Sequence, residues 1–250
     1  MISNVLNIAR AELRRIFLSP LAWAVLAVLQ FILGFVFINL LVEYAASAGM
    51  GGNDQFGVSD YIGGSLYGFA TILLLMVMPL MTMRLFAEER KSGAITLLFS
   101  APVSLTEIVL GKFLAILGFI AAVLVLMALM PLSLAWSTNL DWGRIAAGLF
   151  GLFLLMSAFA AAGLFVSSCT REPTIAAVGS FGLLLLVWLV NILAYNDSIP
   201  FKELFAYLSL IDHYESLRRG VFDTADAIYY VLFSALFLSL TVLRLDIERN

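Results

Sequence analysis

The chain has 250 residues, 62% hydrophobic and 12% charged, with a net charge of −3 and a mean hydropathy of +1.03. Soluble domains carry about 25% charged and about 45–50% apolar residues, so a water-soluble core is excluded. A transmembrane β-barrel would show ~10-residue alternating segments, whereas this chain has long continuous apolar runs.

The first element, Met1–Ser19, places Ile2, Val5, Leu6, Ala9, Leu13, Ile16 and Phe17 at helical spacing. Asn7, Arg10, Arg14 and Arg15 fall elsewhere on the wheel. That pattern predicts an amphipathic helix lying in the membrane interface; the alternative is a plain basic tail. Ser19–Pro20 then turns the chain into the first apolar run, with proline at a helix start.

About 20 apolar residues are needed to cross ~30 Å of hydrocarbon. Six runs qualify: Ala22–Leu41, Ser65–Met83, Phe113–Ala135, Ile145–Ser167, Thr174–Ala194 and Ala227–Leu243. None contains Asp, Glu, Lys, Arg or His. The predicted fold is therefore all-α, a polytopic membrane protein with six transmembrane helices. The first run starts late and is too long for the apolar region of a signal peptide, so "ASA" at Ala46–Ala48 is read as chance and the run as an anchor.

Six spans put both termini on one side. That side holds Arg10, Arg14, Arg15, Arg84, Arg90, Lys91, Lys112, Arg171, Arg244 and Arg249; the other holds Arg144, Lys202, Arg218 and Arg219. The bias predicts cytoplasmic termini. The outer loop Glu43–Gly64 contains the turn sequence "GMGGND". Trp136 and Trp142 flank the link between the third and fourth spans at interface depth, and "SCTREP" makes a tight inner turn. The last outer loop, Ser198–Asp226, repeats Phe201, Leu204, Phe205, Leu208 and Ile211 at helical intervals. Two short helices dipping toward the membrane are expected there; the alternative is a helix lying flat on the lipid. Gly220 is expected to break this segment, and Asp223 or Thr224 to cap the last span.

Reactive chemistry is sparse. Gly111–Lys112 is followed by Phe113 and position 106 is Thr, so no phosphate-binding G-x-x-x-x-G-K-[ST] loop is present. His213 is the single histidine and is expected at the surface; Cys169 is the single cysteine, at the inner end of the fourth span. Met76, Met78, Met81 and Met83 crowd the second span and are read as packing rather than a soft metal site. Spans without ionisable residues argue against a proton- or sodium-driven carrier and against a membrane enzyme. Gly64-x-x-x-Gly68 and Ala158-x-x-x-Ala162 with Gly163 are candidate helix-packing motifs.

The charged stretch 84–112 interrupts this pattern. "RLFAEERKSG" extends the second span, Gly93 can end it, and "AITLLFSAP" is apolar but too short to span before Pro102 stops it. Ser104 and Glu107 make a capping box for the next helix. The result is an apolar knob with a charged rim, the character of a docking site.

"FAEERKSGAITLLFSAPVSLTEIVLGK" resembles the loop between the second and third spans of ABC-2-type transporter permeases. The match falls on Phe86, Glu88, Glu89, Gly93, Leu97, Pro102, Ser104, Ile108, Gly111 and Lys112; Ala94 and Thr96 depart from it, standing where Thr and Glu are usual. "RAELRRIFLSPLAWAVLAV" and "HYESLRRGVFDTADAIYY" resemble the gliding-motility and multicopper-enzyme-maturation branch. The resemblance implies one permease domain over residues 1–250 in a bacterial inner membrane, paired with a second copy or a related permease. Two copies of a separate ABC ATPase would dock below, carrying ATP and Mg, and this chain would need no cofactor or metal. A periplasmic or membrane auxiliary protein is a further implied partner; nucleic acid is not. In that reading residues 1–19 are the interfacial elbow helix. Glu88, Glu89, Arg90, Lys91, Gly93, Ile95, Leu97, Leu98, Phe99, Pro102 and Glu107 serve ATPase coupling, with the charges orienting the dock and the apolar residues anchoring it. Phe201, Leu204, Phe205, Leu208 and Gly220 belong to an extracytoplasmic gate over 198–224. The implied function is the permease of an exporter-type ABC transporter. The alternative is a membrane anchor that passes force to a periplasmic partner without moving a solute.

Overall fold

In lipid, backbone polar groups must be satisfied within each segment, so apolar runs of this length become helices. The computed structural model describes residues 2–49, 62–100, 102–136, 138, 140–194, 203 and 207–249, and these contain helices and no strand. The helices are α1 Ile2–Leu18, α2 Pro20–Gly49, α3 Tyr67–Thr82, α4 Arg84–Lys91, α5 Ala94–Ser100, α6 Leu105–Leu132, α7 Trp142–Cys169, α8 Pro173–Ala194, α9 Leu210–Arg218 and α10 Thr224–Arg249, with a π turn at Ile62–Leu66 ahead of α3. Among the described residues, six stretches are long and apolar enough to cross a membrane: α2, α3 with α4, α6, α7, α8 and α10. The chain is a multi-pass membrane protein. An even number of spans leaves both termini on one face, called here the terminal face.

Local chemistry sets the helix ends. At α6, Ser104 Oγ accepts the Glu107 N–H at 3.2 Å while Glu107 Oε2 accepts the Ser104 N–H at 2.9 Å, which is the predicted capping box. It starts the helix at Leu105, eight residues before the apolar run begins. Asp141 caps α7 by accepting the Arg144 N–H at 3.1 Å. Asp223 accepts the Ala225 N–H at 2.8 Å and so fills the capping role expected at the last span. Gly93 and Gly220 take φ of +74° and +84°, the left-handed conformation that ends α4 and α9.

The centre of the bundle is α7, where 72% of the spanning window is buried. Its small residues Ala158, Ala160, Ala161 and Ala162 have no exposed surface. A Cβ on Gly163 would run into Thr82 of α3, and one on Gly148 would meet the Tyr67 ring at 2.6 Å. Helices α3, α6, α8, α9 and α10 all pack on this mast. By contrast, α2 and α8 bury only 22% and 17% of their windows. On α2 the buried stripe is Ala22, Leu26, Leu29, Leu33 and Phe37, while Phe31, Phe35 and Ile38 are exposed.

Helix α1 lies against α6 through its apolar face, burying Ala9 and Ile16. Gly111 makes this approach possible: a Cβ there would meet Ile8 at 2.6 Å and the Val5 carbonyl oxygen at 3.2 Å. At the Ser19 bend, Trp23 Nε1 donates to the Phe17 carbonyl at 2.8 Å, tying the start of α2 to the end of α1.

At the opposite face, the described part of the last loop is residue 203 and residues 207–226, with α9 as its helix. The Phe201, Leu204 and Phe205 positions lie outside the described residues, as does most of the loop between α2 and α3. Leu208 is exposed. Arg218 reaches from α9 to donate to the Gly64 carbonyl and lies 2.6 Å from where a Gly68 Cβ would be. Of the first packing pair, then, Gly68 admits a guanidinium, and a Cβ on Gly64 would meet nothing within 4 Å.

Candidate functional site

The densest set of long-range polar contacts lies at the terminal face, where α4 emerges from α3. Pro79 lies inside α3, and the helix breaks at Met83. A break leaves first-turn N–H groups without helical acceptors. Ser167 of α7 supplies the missing partner: its Oγ accepts the Phe86 and Ala87 N–H groups at 3.1 and 3.2 Å and donates to the Met83 carbonyl at 3.0 Å. One hydroxyl thus caps a helix from another helix eighty residues away in sequence.

Beyond this joint, Glu88, Glu89, Arg90 and Lys91 each pair with a different neighbour. Glu88 accepts from Arg15 of α1 at 2.9 Å. Glu89 accepts from Lys112 of α6 at 2.6 Å, and Lys112 also donates to Glu12 of α1 at 2.5 Å. The Lys112 side chain is 1% exposed and its ammonium sits 5.2 Å from the centre of the buried Phe86 ring. Arg90, also buried, pairs with Glu248 of α10, and Lys91 pairs with Glu172 at the foot of α8 at 2.8 Å. Asn4 of α1 donates to Glu107 at 3.3 Å, joining the capping box to the same face. The short helix α4 is tied by ion pairs to α1, α6 and α10 and to the residue that precedes α8.

The motif residues therefore have structural roles. Phe86 floors the Lys112 site, Glu88 and Glu89 hold α1 and α6, Gly111 admits α1, and Lys112 bridges two carboxylates. Beyond Gly93, Ile95 of α5 is buried in the chain's own core and Leu98 packs half-buried against it. The side chains of Leu97 and Phe99 lie outside the described residues. Ser92, Thr96, Ser100 and Pro102 are exposed.

A second polar cluster joins α9 to its neighbours at the opposite face. His213 Nδ1 lies 2.6 Å from Asp226 Oδ1, Ser216 donates to the other oxygen of Asp226, and the imidazole stacks on Tyr229 with centroids 4.2 Å apart. Asn191 of α8 donates to Ser209 at 3.0 Å and to Asp212 at 2.8 Å. His213 is not at the open surface, as its amphipathic setting predicted; the first turn of α10 carries Asp226 over it. Tyr214 is buried in α9, and burial pushes its phenol well above the ordinary range, so it stays neutral. Gly220, assigned to a gate on resemblance, packs beside Arg144 of α7. No group of three or more His, Cys, Asp or Glu that could hold a metal occurs among the described residues.

A comparison with protein families matches residues 6–245 to the ABC-2 family transporter protein family. The chain belongs to the ABC-2 family. A search of curated proteins found no match. ABC-2 membership makes this chain a membrane transport component. Sequence reasoning located the α4–α5 stretch of this ABC-2 protein, but it missed Ser167, Glu12, Arg15, Glu172 and Glu248. Of these, Glu12 carried a usable signal, since it stands three residues after Ala9 and four before Ile16, on the apolar face of an interfacial helix.

Proposed function

We propose that this chain is the permease subunit of an exporter-type, ATP-driven transporter in the bacterial inner membrane. Its α4–α5 segment is the part on which a separate ATPase acts. The observation that carries this reading is the set of ion pairs radiating from α4. A push on α5 passes through Gly93 into a helix bonded to α1, α6, α10 and the foot of α8, so several elements move as one body. Transport by rocking of packed halves needs such a stiff lever more than it needs reactive side chains.

In this reading the terminal face is cytoplasmic, two ATPase subunits bind ATP and Mg below it, and a second permease copy or a related chain completes the pore. The contact edge is Ser92, Thr96, Ser100 and Pro102, with Lys91 at its rim, while Ile95 and Leu98 hold α5 to its own bundle. The apolar runs of the spans carry no Asp, Glu, Lys, Arg or His, which favours a second reading: an anchor that passes the same push to a periplasmic partner without moving a polar solute.

The test is a pull-down from native membranes with this chain as bait, comparing wild type with Thr96→Arg. Thr96 is exposed, so the variant should insert and melt as wild type does. An ABC ATPase should accompany the wild type and fall at least about tenfold in the variant, the loss of a contact worth ~1.4 kcal/mol or more. A wild-type eluate without an ATPase, in a detergent that preserves other such complexes, would remove the coupling reading.

A further inference from the structure

The seam between α2 and α3 holds two adjoining cavities of opposite character. The first, about 200 Å³, opens at the terminal face and is lined by Arg15, Ser19, Arg84, Glu88 and Glu12, whose carboxylate accepts from Lys112, with Ala22 and Met81 at its inner end. The second, about 270 Å³, continues along the same two helices toward the bilayer centre. Its walls are wholly apolar, among them Val25, Val28, Ile32, Leu73, Met76 and Leu80.

We propose that this seam binds a glycerophospholipid from the leaflet at the terminal face, with the phosphate on Arg84 and one acyl chain in the groove. Arg84 is exposed and has no ion-pair or hydrogen-bond partner among the described residues, in contrast to Arg15, Arg90, Lys91 and Lys112. Guanidinium is well matched to phosphate oxygens. Glu88 on the same wall already accepts from Arg15, so its charge is compensated. Trp23, exposed beside the mouth, marks the level where headgroups lie.

The groove's dimensions select its occupant. From Ala24 to Ile32 it runs about 12 Å along α2, most of the ~15 Å half-thickness of a hydrocarbon core. About 270 Å³ spread over that length makes a narrow furrow, slight beside a helix ~10 Å across. A single hydrocarbon chain can lie within it, whereas a helix of a second copy could only cover it from outside. The inference rests on the membrane-spanning fold and is independent of the coupling role of α4 and α5.

The experiment is native mass spectrometry of the delipidated full chain. Phosphatidylglycerol, phosphatidylethanolamine or diacylglycerol is titrated in, for wild type, Arg84→Ala and Met76→Trp. Both variant positions are exposed, and melting temperatures check that the fold is kept. The expected result is one saturable phospholipid adduct. Its affinity should fall on the order of tenfold in Arg84→Ala, the loss of a charge-assisted hydrogen bond, and by a similar factor in Met76→Trp, where the indole fills the groove. Preference for one headgroup over the other identifies what Glu88 and Ser19 add to phosphate binding. Equal binding of diacylglycerol, adducts indifferent to both variants, or a change in oligomer mass with Met76→Trp in place of a change in lipid affinity would each overturn the proposal. The last would assign the groove to a second copy.

Discussion

Replacing Lys112 with Met tests whether the network around α4 is a stiff joint. The ammonium is buried, lies 2.5 Å from Glu12 and 2.6 Å from Glu89, and both carboxylates are only 13% exposed. Removing one partner of a buried pair costs about 3–5 kcal/mol, because the remaining charge is left without compensation. Here two carboxylates lose their nearest cation. Arg15, 3.7 Å from Glu12 and 3.6 Å from Glu89, offsets part of the loss. A cost of about 3 kcal/mol is therefore expected, or a drop in melting temperature of roughly 6–12 °C at ~2–4 °C per kcal/mol. Thermal unfolding of the purified protein in detergent measures it. Lys91→Ala is the control: that lysine and its partner Glu172 are 59% and 48% exposed, and such pairs contribute about 0–1 kcal/mol. The triple variant Glu12→Gln, Glu89→Gln, Lys112→Met should regain much of the loss, since neutral amides are far cheaper to bury than unpaired carboxylates. A Lys112→Met protein that melts within about 2 °C of wild type would refute the view that this cluster binds α1, α4 and α6 into one unit.

Two further predictions probe the same joint. Ser167→Ala removes the acceptor for two buried N–H groups and should cost about 2 kcal/mol, within the ~1–3 kcal/mol range for an unsatisfied buried group; hydrogen exchange at Phe86 and Ala87 should accelerate by at least about tenfold, and unchanged exchange would refute the cap. Gly93→Ala forces a side chain into φ of +74° and should cost about 1–2 kcal/mol, whereas Gly182→Ala in α8, with open space around the new Cβ, should be neutral or stabilising by up to ~1 kcal/mol in the same melting assay.

Local signals were legible in the sequence. The six spans are continuous apolar runs, and each falls within or close to an observed helix. The capping box at Ser104 and Glu107, the helix stops at Gly93 and Gly220, and the Asp223 cap all depend on residues within a few positions of one another. The ends of α6 show what periodicity alone loses: the helix begins in polar sequence because its cap lies there, so an apolar window starts it eight residues late. Most partners of α4 were not legible: apart from Glu89–Lys112, 23 positions apart, the pairs span 73 to 158 positions, and nothing local distinguishes Glu172 or Glu248 from other surface acids. Ser167 was hidden for the same reason, inside a run that reads as plain membrane helix. Charge in the 84–112 stretch reads as a solvated rim, yet Lys112 and Arg90 are buried, since opposite charges arrive from distant helices to meet them.

The central position of α7 has a consequence for how the protein is made. Its most extensive packing is with α10, which follows it in the chain, and much of the rest is with α8 and α9, which also follow it. When α7 first enters the bilayer, α3, α4 and α6 are in place to meet it, with Gly163 against Thr82 of α3. The other side of the helix presents small residues to lipid, where they have little to pack against. The native bundle cannot close until α10 arrives, and Arg90 waits for the Glu248 that α10 carries. Assembly is thus a process in which α10 locks the spans inserted before it, and a nascent chain that has not yet reached it leaves both the mast and the α4 joint unfinished.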